Sequence, residues 1–142
     1  MQNKFELDRI TRRIIGAAIE VHKTVGPGLL ESAYQVCLAF ELREQGLKVE
    51  EQLPLPVVYK NVKLDCGYRI DLLVENEIVI EIKAIETLAP IHDAQLLSYL
   101  RLSGKRVGLL MNFHVRVLKD GLKRIVNEFP DSAVSASSAV NQ

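Results

Sequence analysis

From Leu7 to Lys23 the apolar residues Ile10, Ile14, Ala17, Ala18 and Val21 recur at steps of three and four, the period of a helix with one apolar face. A first helix is expected there. Thr24-Val25-Gly26-Pro27-Gly28 then breaks the pattern, because Gly costs helix stability and Pro27 disfavours helical geometry at the residue before it. A second helix is expected at Leu29–Gln45, closed by Gly46 as a C-cap.

The pattern then changes to strands. Leu53–Tyr59 reads as one, with Pro54 and Pro56 suiting an edge or a strand entrance, and Lys60-Asn61 as the turn into an antiparallel partner. Val62–Val74 reads as a long run bent near Gly67, joined over Glu75-Asn76-Glu77 to Ile78–Ala84. A third helix is expected at Pro90–Ser103, with proline in its first turn and Gly104 past its end. Arg106–Phe113 reads as a strand. Within Val115–Val126, Asp120-Gly121 signals a hairpin turn, with Gly121–Asn127 as a short helix the alternative. Residues 1–129 are expected to form one domain, and 130–142, without periodicity or large side chains, a disordered tail.

The hairpin around Asn76 fixes its own register. Centring the turn on Asn76 sets Ile70 against Ile82, Leu72 against Ile80 and Val74 against Ile78, with all of these on one face. Side chains alternate across a strand, so the other face carries Asp71 opposite Glu81, with Lys83 two residues on and Leu73 and Val79 in the same row. A one-residue slip would split the apolar set between faces, which the hydrophobic effect opposes.

Two carboxylates side by side in an apolar hairpin are expected to repel each other, and desolvation to raise the pKa of at least one. A divalent cation compensates directly: Mg²⁺ prefers carboxylate oxygens and keeps several waters. Lys83 stands ready to orient a water or to stabilise developing negative charge. The residues alone equally fit a solvated sheet face with Lys83 as a surface ion-pair partner.

Composition narrows the choice. The 142 residues, 48% hydrophobic and 25% charged, suit a single compact domain. Acidic and basic residues number 18 each, so no overall positive field advertises nucleic acid. Lys105, Arg106, Arg116, Lys119, Lys123 and Arg124 are either solvated surface or a basic strip that tracks phosphates. Cys37, in the second helix, and Cys66, in the long strand run, lack CxxC spacing and read as free thiols; His92 and His114 have no partner at zinc-ligand spacing. His22 is placed to interact with the C-terminus of the first helix. No stretch is long and apolar enough for a membrane span, so a cytoplasmic location and no membrane partner are expected.

The element order, together with Asp71 and Glu81-Ile82-Lys83, resembles the PD-(D/E)XK nuclease superfamily, with Ile70 where a proline usually precedes the first aspartate. Gln95-Leu96-Leu97-Ser98-Tyr99 looks like the QxxxY motif of RecB-type members. Gly28-Leu29-Leu30-Glu31-Ser32-Ala33-Tyr34 looks like the signature of the GxxExxY branch, and the similarity runs from the first helix through about Asn127. The resemblance implies an α/β, restriction-endonuclease-like core: a central mixed sheet with an antiparallel meander, flanked by helices. It implies Mg²⁺ or Mn²⁺ held by Asp71, Glu81, the Ile82 carbonyl and Glu31. Lys83, Gln95 and Tyr99 complete the implied catalytic set, the substrate being nucleic acid, DNA in the first instance, and the assembly a homodimer. Tyr34 and Gln35 share a helix face with Glu31 and are expected to point with it toward the hairpin. Zero net charge motivates a rival class, a catalytically inactive nucleic-acid-binding or protein-interaction module on the same fold.

Overall fold

The computed structural model describes residues 4–128, so the expected tail at 130–142 lies outside the described residues. The elements are α1 (Lys4–Val25), α2 (Glu31–Glu44), β1 (Val49–Pro54), β2 (Val57–Tyr59), β3 (Val62–Leu64), β4 (Arg69–Val74), β5 (Ile78–Lys83), α3 (Pro90–Ser103), β6 (Val107–Asn112), a 3-10 turn (Leu118–Gly121) and β7 (Leu122–Val126). Strands β1-β4-β5-β6-β7 form one sheet in that order, and β2 pairs with β3 separately. Among the described residues only β5 and β6 run parallel, joined by the α3 crossover that a parallel pair requires. Among the described residues no helix is long and apolar enough to cross a membrane.

Helices cover both sheet faces. α1 and α2 pack through Ile10, Ile14, Ala17, Val21, Tyr34 and Leu38 onto Leu72, Val74, Ile78, Ile80 and Ile82. On the other face α3 brings Leu96, Tyr99 and Leu100 against Leu73, Val79 and Leu110. Strands covered on both sides lose the alternation of half-exposed ones, which is why β6 is buried along its whole length.

Several local expectations are corrected. The Leu53–Tyr59 strand is two strands: β1 is an edge strand of the main sheet, and β2 starts only after Pro56. The Val62–Val74 run divides likewise into β3 and β4, which belong to different sheets, and Cys66 lies exposed between them rather than in a strand. Both cysteines are free. Asp120-Gly121 closes the 3-10 turn, and the segment that follows is strand β7 against β6 rather than a helix.

The hairpin register holds where the main chains pair: Leu72 opposes Ile80, Leu73 opposes Val79 and Val74 opposes Ile78. Ile70 departs from it, packing with Leu73, Val79 and Tyr99 on the α3 side instead of sharing the α1–α2 face. The cause is a local turn of the β1–β4 pair. Glu51 opposes Leu72 and Leu53 opposes Ile70, while Gln52 and Asp71 between them are unpaired and Gln52 is left-handed, with φ 51°. Alternation does not survive that irregularity.

Two glycines give opposite predictions. A Cβ at Gly121 would run into the main-chain oxygen of Asn112, whereas one at Gly16, exposed in the middle of α1, meets nothing. Gly121→Ala is therefore expected to destabilise by about 2 kcal/mol or more, and Gly16→Ala to stabilise by about 0.5–1 kcal/mol. Urea midpoints that move in the same direction for both variants would contradict this packing.

Candidate active site

The site forms where β4 and β5 part. Beyond the Leu72–Ile80 pair their main chains no longer bond to each other, and side chains take over. The Ile82 N–H donates to Asp71 Oδ2 at 2.8 Å and the Asp71 N–H donates to Glu81 Oε2 at 3.0 Å. Each carboxylate thus satisfies an amide of the opposite strand. This holds the two acids next to each other, as the register argument required.

Their surroundings are not those of a solvated face. Glu81 is 5% exposed and Asp71 half-buried. Burial, and then the charge of Asp71, pushes Glu81 from its ordinary 4.5 up to about 8. Burial also raises Asp71, against the hydrogen bonds from the Ile82 N–H and Gln52 and against the charge of Lys83. The Glu31 charge raises both acids further.

Glu31 opens α2, and its carboxylate accepts the Ala84 N–H at 3.0 Å, tying the start of that helix to the end of β5. The preceding loop sets this position. Gly28 adopts φ 104°, a conformation glycine takes without strain. The Tyr34 hydroxyl donates to the Gly26 carbonyl at 2.6 Å and accepts the Leu29 N–H at 3.1 Å, while its ring stacks on Phe113 at 4.4 Å. Tyr34 therefore does not point at the acids alongside Glu31, as its helical spacing suggested; it faces its own loop and the core. Gln35 stops one residue short of them. Its Oε1 accepts Gln52 Nε2 at 2.6 Å, and Gln52 in turn donates to Asp71 Oδ1 at 3.0 Å.

On the α3 side, Lys83 Nζ donates to Gln95 Oε1 at 3.5 Å, and Gln95 Nε2 donates to the Tyr99 hydroxyl at 3.4 Å. Burial, then the Glu81 charge, raises the Tyr99 hydroxyl pKa. The structure thus brings Glu31, Asp71, Glu81, Lys83, Gln95 and Tyr99 to the same end of the sheet.

Gln52 and Asn112 escaped the sequence reading. Gln52 carried no signal, since its strand was expected to begin one residue later. Asn112 did: it is the lone amide in the apolar run 107–113. Buried at 2% exposure, it donates to the Ile85 carbonyl and accepts the Ile85 and His114 N–H groups, fixing the chain just beyond Lys83.

Two of the three histidines have structural work. His22 Nε2 bonds the Val115 carbonyl at 2.8 Å, and His92 Nδ1 accepts the Ala89 N–H at the start of α3. Of the basic residues read as either solvated surface or a phosphate-tracking strip, Lys123 pairs with Asp93, Arg124 with Asp8, and Lys105 bonds Asn76 at the end of the sheet away from Lys83. Those residues do not converge on the acids.

No group of three or more His, Cys, Asp or Glu side chains forms a metal cage among the described residues. The donor set still fits a hard cation of the Mg²⁺ kind, which is usually bound by one or two carboxylates and completes its shell with water and phosphate oxygens. Two adjacent acids whose pKa values are raised by burial are groups that such an ion, when bound, would hold in the ionised form.

This sheet, with its strand-end acids and flanking helices, has the form of a restriction-endonuclease-like α/β core. A profile of the PD-(D/E)XK nuclease superfamily matches residues 8–125. The chain belongs to that superfamily. Searches of curated proteins and of solved structures returned no match.

The elevated Glu81 pKa has a pH signature. Without metal, Glu81 stays protonated in the folded protein between its ordinary 4.5 and about 8, while in the unfolded chain it is ionised. The folded state then holds the extra proton, so stability falls as pH rises through that window and levels off above it. Asp71 acts in the same direction. In EDTA, Glu81→Gln is expected to flatten the fall, its melting temperature gaining on the wild type steadily as pH is raised. Parallel melting curves across the window would show that Glu81 is not the group responsible.

Proposed function

We propose that this domain is a divalent-metal-dependent phosphodiesterase acting on DNA, in the GxxExxY branch of its superfamily. The observation that carries the reading is the pair Asp71 and Glu81, each fastened to an amide of the opposite strand, with Lys83 on the same strand as Glu81. Asp71 and Glu81 would hold Mg²⁺ or Mn²⁺, with Glu31 at the end of β5 and the Ile82 carbonyl as further oxygen donors. The Ile82 N–H already points at Asp71, and a carbonyl in an extended strand projects to the same side as its own N–H. When bound, the cation supplies neutralisation of phosphate charge and a lowered pKa for water.

The remaining roles fall to the protein's own groups. Lys83, held by Gln95, orients the attacking water and meets charge building on the phosphate. Gln95, itself joined to the Tyr99 hydroxyl, holds the lysine amine on the α3 side of the site. Gln52 and Gln35 hold Asp71 from the α2 side. In a homodimer, a second copy would supply a second site for the opposite DNA strand.

Zero net charge favours one rival, a domain that binds nucleic acid or protein on this fold without cutting. Plasmid nicking in Mn²⁺ or Mg²⁺ separates the two. The wild type is expected to cleave, and Lys83→Ala to lower the rate by about a hundredfold or more. Undiminished cleavage by that variant would remove Lys83 from the mechanism. In calorimetry, Mn²⁺ is expected to bind the wild type and not Asp71→Ala. Metal binding unaffected by Asp71→Ala would overturn the proposed ligand set.

A further inference from the structure

β2 and β3 form a ribbon outside the main sheet and pack chiefly against each other. A two-stranded ribbon alone is marginally stable, and this one leaves much of its side-chain surface in water: Val58 is 47% exposed, Tyr59 59%, Val62 54% and Leu64 41%. Its register pairs Val57 with Leu64, Val58 with Lys63 and Tyr59 with Val62. By alternation, Val57, Tyr59, Val62 and Leu64 share one face, and Val58 and Lys63 the other. The tip turns through Lys60 and Asn61, both left-handed, and the Lys60 amine sits over the Tyr59 ring at 5.5 Å. Among the described residues neither Lys60 nor Lys63 makes an ion pair.

The foot of the ribbon adjoins the acids. The Leu55 N–H donates to the Tyr68 carbonyl at 2.9 Å, closing the ribbon's base, and Leu55 is buried in the cluster that contains Ile70 and Tyr99. Tyr68, 45% exposed, lies 5.8 Å from the Tyr99 ring, and Tyr99 leads through Gln95 to Lys83. An exposed ring, two unpaired lysines and a second exposed ring at the base therefore extend outward from the site.

Aromatic faces accept any unpaired base, and lysines track the phosphates between bases. The positive charge is complementary to a polyanion, and the carboxylate within the same segment, Asp65, is engaged locally by the Gly67 N–H at 2.9 Å. We propose that the β2–β3 ribbon is an arm that holds unpaired nucleotides flanking the scissile phosphate, with Tyr59 and Tyr68 stacking on bases and Lys60 and Lys63 pairing with phosphates. This rests on the phosphodiesterase reading and adds to it the surface that selects a polynucleotide over a small diester.

The test compares the full-length wild type with a Tyr59→Ala/Lys60→Ala/Lys63→Ala triple variant and with Tyr59→Phe, which keeps the ring. Affinity for a fluorescein-labelled oligothymidylate in EDTA is expected to fall about tenfold or more in the triple variant and to stay near wild type in Tyr59→Phe. With Mn²⁺, hydrolysis of bis(p-nitrophenyl) phosphate, too small to reach the arm, is expected to be the same in all three proteins, while oligonucleotide cleavage by the triple variant shows a raised KM. Wild-type protein that binds the oligonucleotide but hydrolyses neither substrate would refute the phosphodiesterase reading and leave the arm to be judged on affinity. Equal affinity in wild type and triple variant, a wild type that does not bind, or a triple variant altered only in oligomeric state would overturn the arm.

Discussion

The exchange of amides between Asp71 and Glu81 is the interaction on which the site depends. Two strands that begin as an ordinary antiparallel pair run out of main-chain hydrogen bonds after Leu72 and Ile80. The amides freed there are satisfied by carboxylates instead of carbonyls. An unsatisfied buried N–H and an unpaired buried carboxylate each cost free energy, and each here offsets the other. What remains is the cost of ionising them: burial raises both acids, and Glu81 holds its proton up to about 8.

The rest of the fold keeps this arrangement in register. The parallel β5–β6 pair continues to Lys83 and Asn112, and the Asn112 amide clamps Ile85 just beyond. α2 is drawn to the same strand end by Glu31, and its position follows from the Gly28 loop that Tyr34 pins from inside. Gly28, Tyr34 and Glu31 thereby have a mechanical account: the glycine permits the turn, the tyrosine fastens it, and the glutamate reaches the sheet. α3, on the other face, supplies the Gln95 that holds the lysine. Two helices from opposite sides of the sheet meet at one strand end, which is how a small domain with zero net charge comes to concentrate its carboxylates locally.

Much of this was legible beforehand. α3 falls at Pro90–Ser103 as its proline and glycine signals indicated, and the apolar face of α1 is buried as its period required. The juxtaposition of Asp71 and Glu81 followed from alternation and from the energetic cost of splitting an apolar row between two faces. Those signals are local. Each depends on residues within a few positions of one another or on a single turn.

What the sequence determined by itself is the three helices, strands β5 and β6, and the register of the β4–β5 hairpin from Leu72 and Ile80 to the turn. Only the tertiary structure decided that Ile70 turns to the α3 side, that Gln52 rather than Tyr34 or Gln35 touches Asp71, and that β2 and β3 leave the sheet as a separate ribbon. Such outcomes depend on contacts between segments far apart in the chain: a left-handed residue in β1 unpairs Asp71 in β4, and a tyrosine in α2 stacks on a phenylalanine after β6. Periodicity reports which side of an element is apolar, and it carries no information on which distant element will meet that side.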